Sequence, residues 1–251
     1  MATDDCNAEF DRTTDLEVDT PTLIEGLPGH GLVASIAVDQ ITDQLALEKY
    51  GSIRSDDFPP VTSFTDGLVQ DTVRVYGGSD PDVLTLQSDV PIPENAVADL
   101  SHCVLEELVD DSGRAIFLAG APAQSEDQRG EVVGVATTEA LKAELEDAGI
   151  ELATESGAVG GVTGALVTKF YEADVPAVLL LVRADPRLPD PAAARSVIET
   201  ALEELVDFEI DTDELREQAE EIQRQKQQVA QQLQQAQGQQ DEPMQARNMF
   251  R

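Results

Sequence analysis

The chain has 251 residues, 41% of them hydrophobic but only 4% aromatic and none Trp, enough for one sizeable core resting on Val, Leu, Ile and Ala. Its 50 acidic residues against 16 basic ones give a formal net charge of -34, which argues against nucleic-acid binding, since that needs Lys/Arg patches to neutralise phosphates. Cys6 and Cys103 form neither a disulfide framework nor a CxxC metal site, and the longest apolar run, about Ala177 to Val182, is far too short to span a bilayer.

In chain order, residues 1–19 are acidic, polar and aperiodic, and read as a disordered arm. They lack a signal peptide's basic start and apolar stretch, so a cytoplasmic location is expected. Thr22 to Glu25 is a short strand, and Gly26-Leu27-Pro28-Gly29-His30-Gly31 follows as a tight loop. Leu32, Val33, Ile36, Ala37, Ile41 and Leu45 then recur at helical spacing to about Leu47. From about Gly51 to Val90, Pro59-Pro60, Asp66-Gly67 and Gly77-Gly78 punctuate short β-rich runs. This predicts an antiparallel section with a hairpin turn at Asp66-Gly67.

Alternation then returns. A helix over 94–109 precedes strands at 115–119 and 132–136, and a helix spans about 138–148. A second glycine loop, Gly157 to Gly164, leads into a helix through Tyr171, and Ala177 to Val182 is an apolar strand suited to the centre of a parallel sheet. Asp190-Pro191 caps the next helix, whose inner face is Val197, Ile198, Ala201, Leu202 and Leu205. The pattern predicts one α/β domain over 20–208, with a mainly parallel or mixed sheet flanked by helices. A C-terminal helical extension over 209–237 follows. Leu215, Ile222, Val229 and Ala236 repeat there every seven residues, with Ala219, Lys226 and Leu233 between them, a weak coiled-coil pattern. Gly238 is expected to end it, leaving 238–251 as a flexible tail.

Only four basic residues are Lys (Lys49, Lys142, Lys169 and Lys226), and the acids are spread along the chain. Such a surface repels itself in dilute buffer. Molar salt, with a Debye length of about 3 Å, screens it, so the composition fits a salt-loaded cytoplasm.

The two glycine loops are the first candidates for chemistry, because a loop entering a helix N-terminus can cradle an anion. Gly26-x-x-Gly29-x-Gly31 is neither the dinucleotide order nor a Walker loop. Gly160, Gly161 and Gly164 equally serve close backbone packing. His30 and His102 are the only histidines, and neither has a recognisable catalytic partner in sequence. No catalytic residue, cofactor or metal site is expected. Met249-Phe250-Arg251 is a sharper signal: hydrophobic, aromatic, any residue, then the free carboxylate, at the end of an arm that spans at most about 35 Å.

Residues Gly26 to Ala37, GLPGHGLVASIA, resemble the first signature of the PAC2 family, the proteasome assembly chaperone type, and Gly157 to Leu166 resembles its second. The resemblance covers about residues 20–208, and the acidic composition suits a haloarchaeal member. It implies a nucleoside-phosphorylase-like fold, action by binding rather than catalysis, and a homo-oligomer. Signature residues Gly26, Pro28, Gly29, His30, Gly31, Gly160, Gly161, Thr163 and Gly164 would then serve an interface or a ligand. Some members carry a hydrophobic–tyrosine–any C-terminus that docks between α-subunits of the 20S proteasome. Met249-Phe250-Arg251 is similar, with Phe250 for tyrosine. The missing hydroxyl removes one hydrogen bond, worth about 0.5–1.5 kcal/mol. An enzyme of the nucleoside phosphorylase or ligase type is the alternative; it requires a concave pocket with polar groups near His30 and Gly160. A plain oligomeric scaffold is the third reading.

Overall fold

The computed structural model describes residues 7–240, apart from 17, 19 and 110–112. Cys6, and the tail residues Met249, Phe250 and Arg251, lie outside the described residues.

Among the described residues the strands are β1 (Ala8–Arg12), β2 (Thr22–Gly26), β3 (Glu48–Ser55), β4 (Ser63–Thr65), β5 (Leu68–Gln70), β6 (Val73–Ser79), β7 (Asp82–Ser88), β8 (Arg114–Pro122), β9 (Val132–Ala136), β10 (Glu151–Leu152) and β11 (Ala177–Ala184). Nine form one mixed sheet in the order β1-β3-β6-β7-β2-β8-β11-β9-β10, and β4 and β5 form a separate ribbon. The central run β7-β2-β8-β11 is parallel. The expected antiparallel section is β3, β6 and β7.

The helices are α1 (Val33–Gln44), α2 (Val97–Leu108), α3 (Glu139–Asp147), α4 (Gly161–Glu172), α5 (Pro191–Val197), α6 (Glu203–Leu205) and α7 (Asp213–Gln240), with a π turn over Ile198–Leu202 joining α5 to α6. Alternation along the strands sends side chains to two cores. On one face Ile24, Ile116, Leu118, Val178 and Leu180 pack under α1, α3, α5 and the start of α7. On the other, Leu23, Phe117, Ala177 and Leu179 pack under α2 and α4. Phe170 of α4 meets Phe117 edge-on at 5.1 Å between ring centroids. That pair, worth about 0.5–1.5 kcal/mol beyond its burial, fixes α4 over β8.

Local signals account for the boundaries. Asp190 caps α5, its side chain accepting from the Ala193 amide, with Pro191 in the first turn. Asp66 and Gly67, with φ of 52° and 79°, form the turn between β4 and β5; positive φ at both central residues is what a type I′ hairpin needs.

Three expectations change. The arm over 1–19 contains β1, which pairs with β3 from Ala8↔Ser55 to Arg12↔Gly51. Phe10 lies against Tyr50 and the Arg12 guanidinium sits 5.0 Å above that ring. This pairing spans some forty residues, so local composition does not reveal it. Second, α7 continues through Gly238 to Gln240. One interior glycine costs about 1 kcal/mol relative to Ala, and the flanking glutamines are good helix formers. Third, the heptad seam begins by packing on the chain's own body. Leu215 is buried, Ala219, Ile222 and Lys226 are half-buried, and Val229 is the first exposed member. The Lys226 ammonium bonds Asp185 at 2.7 Å. Among the described residues no helix is long and apolar enough to cross a membrane.

Candidate functional site

Both glycine loops meet at the rim where the parallel strands end. The first leaves β2 and crosses the end of β8. A Cβ on Gly120 would collide with the His30 carbonyl, and one on Gly31, at φ 65°, would sit 2.9 Å from the Ala184 Cβ. Glycine is therefore required at Gly31 by close approach. The second loop runs over 157–160 into α4, where a Cβ on Gly164 would collide with the Val159 carbonyl. In contrast, nothing lies within 4 Å of a Cβ built on Gly29, Gly160 or Gly161. Gly26, Gly31 and Gly164 thus serve packing, while Gly29, Gly160 and Gly161 face open space.

That space is a cavity of about 760 Å³ between the loops. Pro28, Gly29 and His30 form one wall, Gly157 to Thr163 another, and Ala119, Ala121, Val135, Leu179 and Leu181 the floor. The cavity has a simple origin. α4 begins only at Gly161, so it covers the lower half of β11 and leaves the upper half open. Ala177 and Leu179 are buried beneath it, whereas Leu181 and Arg183 on the same face are half-exposed. His30 and Gly160 both line it, as the enzyme alternative requires of a pocket, and the size suits a small ligand or an inserted side-chain cluster. Ligands of open α/β sheets bind at this carboxyl edge.

Beneath the floor lies Glu25, a residue that sequence reasoning missed. It is fully buried, and its carboxylate joins three elements. Oε1 accepts from the Leu27 amide at 3.1 Å and from the Thr163 hydroxyl at 3.3 Å. Oε2 accepts from the Leu118 amide at 3.4 Å. Thr163 lines the cavity above, so Glu25 ties the first loop, β8 and α4 together. Burial pushes the Glu25 carboxyl from 4.5 up to about 8, against the lowering effect of its three donors. As a neutral acid it can turn its own O–H to the Thr163 oxygen. The available signal was a carboxylate inside the otherwise apolar strand TLIEG, immediately before a glycine loop.

The other polar groups do not converge on a reaction centre. Glu155 lines the mouth, and no Lys or Arg is among the described lining residues. The amide end of α4 follows Gly160, with no side-chain cap. His102 lies in α2, in a depression lined also by Phe10, Cys103 and Glu106, none of which lines the cavity. Among the described residues no group of three His, Cys, Asp or Glu side chains could hold a metal ion.

Comparison with known proteins places the chain in one family. The model of the PAC2 family matches residues 23–230. An uncharacterized protein of Methanocaldococcus jannaschii is 27% identical over 214 residues, covering 85% of this chain and 87% of its own. PbaA of Pyrococcus furiosus, an archaeal homolog of proteasome-assembly chaperone, superposes with a TM-score of 0.79 at 24% identity, over 94% of this chain and 96% of its own. PbaB of the same organism, an archaeal proteasome activator, gives 0.78 at 22% identity, over 90% and 99%.

Proposed function

The chain belongs to the PAC2 family, and from this premise we propose that it is a non-enzymatic, proteasome-associated binding protein, a chaperone or adaptor that docks on 20S α-subunits through Met249, Phe250 and Arg251. The observation that carries this reading is the agreement in fold, over nearly all of both chains, with an archaeal homolog of proteasome-assembly chaperone and with an archaeal proteasome activator. The form of α7 supports it. The Lys226–Asp185 contact holds the helix to the body at the rim, and the helix runs on to Gln240, about 20 Å further. In the sequence the terminal tripeptide begins nine residues beyond Gln240. We take the protein to self-associate, so that several tails act together; effective concentration then compensates for weak single tails.

The test is recovery of proteasome α-subunits from molar KCl by the intact protein and by a chain lacking 249–251. Recovery by the intact chain alone is expected. Equal recovery by both would eliminate the tail as the docking element.

The cavity favours a second reading, a small-ligand or nucleoside phosphorylase-like site. Against phosphate chemistry stands the lack of a lining Lys or Arg among the described residues. Calorimetric titration with nucleosides and inorganic phosphate separates the two, with no heat of binding expected.

A further inference from the structure

Glu25 and Thr163 make one polar point in a cavity otherwise lined mainly by carbon. Thr163 stands in the first turn of α4 and lines the cavity. Its hydroxyl lies 3.3 Å from Glu25 Oε1, beneath the floor. Around it the lining is apolar: Ala119, Val135, Val159, Leu179 and Leu181. Glu155, exposed at the mouth, is the only Asp, Glu, Lys or Arg among the described lining residues, and His30 is the other titratable side chain there.

The proton on Glu25 sets what Thr163 offers to the cavity. A hydroxyl has one hydrogen to donate and two lone pairs to accept with. When Glu25 is a carboxylate, the Thr163 hydrogen points down to Oε1, and only lone pairs are left for the cavity. When Glu25 is the acid, its own O–H occupies a Thr163 lone pair, and the Thr163 hydrogen is free to point upward. Burial favours the acid, to about pH 8, against the Leu118 and Leu27 amides and Thr163 itself. The residues paired with Glu25 on β7 and β8, Leu86 and Phe117, carry no charge. The titratable groups that face it from the cavity are Glu155 and His30.

At neutral pH this wall therefore donates, and the matching ligand atom is an acceptor. That acceptor is not an anion. No Lys or Arg among the described lining residues would pair with it, and stripping water from a carboxylate or phosphate in an apolar site without a partner is costly. Glu155 and the net charge of -34 oppose an anion as well. An uncharged carbonyl oxygen meets both conditions. The cavity, about 760 Å³, is of the size that takes small molecules, and its floor suits a ring or a branched chain.

We propose that the cavity binds a small uncharged molecule with an apolar body and a carbonyl acceptor, of the amide type, whose oxygen accepts from Thr163, and that Glu25 is the positioning residue that turns the Thr163 hydrogen toward it. The proposal rests on the small-ligand reading of the cavity, names its ligand class, and is independent of tail docking. Gly29, Gly160 and Gly161, which face open space, then leave the cavity wide enough for the ligand's body.

Equilibrium dialysis of the full chain in molar KCl tests this with three probes of one shape: 2-naphthamide, 2-naphthoate and 2-naphthylmethylamine. At pH 7 the amide is expected to bind, and the anion and the amine, which lacks an acceptor, about tenfold more weakly or less. Thr163→Val should weaken the amide about 2- to 10-fold, the worth of one hydrogen bond, and Thr163→Ser should restore it. Gly160→Leu, built into open space, should abolish binding with unchanged circular dichroism. From pH 7 to pH 9 the wild type should lose about tenfold, as the acid form of Glu25 falls from about nine-tenths to one-tenth of the chains. Glu25→Gln should bind without pH dependence. No binding of the amide, or equal binding of the anion or the amine, overturns the ligand class; heat from nucleosides or phosphate in calorimetry would then show that the small-ligand reading itself stands. Thr163→Val at wild-type affinity overturns the anchor. A flat wild-type profile, or a slope that persists in Glu25→Gln and so belongs to His30 or Glu155, overturns the role of Glu25.

Discussion

Replacing Glu25 by Gln tests how the two signature loops are joined. Folding takes this carboxyl from 4.5 up to about 8, because burial disfavours its charge. The folded state therefore holds a proton that the unfolded state has released between those values. The stabilising contribution is complete below pH 4.5 and is lost as pH rises to about 8. Each unit is worth about 1.4 kcal/mol, so the wild type should lose about 2–3 kcal/mol between pH 6 and pH 9 through this group. Gln does not titrate, but its amide presents a donor to one of the backbone N–H groups that Glu25 accepts from, at a cost of about 1–3 kcal/mol. Urea unfolding in molar KCl, with surface repulsion screened in both proteins, reads the difference. The wild type should be the more stable near pH 5, and its advantage should vanish or reverse by pH 9. Parallel curves across that range would show that Glu25 is charged in the fold and that its three donors outweigh burial.

Three further outcomes follow from the same geometry. Gly164→Ala, which pushes a Cβ into the Val159 carbonyl, should cost about 1–3 kcal/mol in thermal or urea unfolding, whereas Gly29→Ala, facing open space, should change stability by less than about 0.5. Asp185 is held down to about 2, first by its bond to Lys226; its contribution is present above its usual range and lost as pH falls through 2. Lys226→Met should remove about 1 kcal/mol at neutral pH and speed amide exchange in α7 while sparing the sheet. Finally, the melting temperature should rise steeply between dilute buffer and molar KCl, since the -34 charge is then screened; a flat response would remove self-repulsion from the account.

What could be read from the sequence depended on how local its cause was. The β2–loop–α1 unit, the Asp190-Pro191 cap and the Asp66-Gly67 hairpin each rest on a few neighbouring residues, and each is found where its spacing put it. β1 was hidden because AEFDR has no strand signature of its own and gains its place from Tyr50. The heptad on α7 was visible, but its use was not: Leu215, Ile222 and Lys226 serve the chain's own body before any partner could reach them. A pocket near His30 and Gly160 is what the enzyme alternative required, and no local pattern shows it, because it arises from where α4 begins relative to Leu181 and Val135. Glu25 reads locally as a strand end, since nothing nearby in the sequence shows that Thr163 and Leu118 converge on it.

The most direct test of the proteasome reading is the affinity of the purified full-length chain for purified 20S particles in molar KCl, measured alongside Phe250→Ala and Phe250→Tyr. Tail docking predicts that Phe250→Ala abolishes binding. It predicts that Phe250→Tyr tightens it about 2- to 10-fold, the worth of one added hydrogen bond. Equal affinity for all three proteins would contradict it and place any proteasome contact elsewhere on the chain.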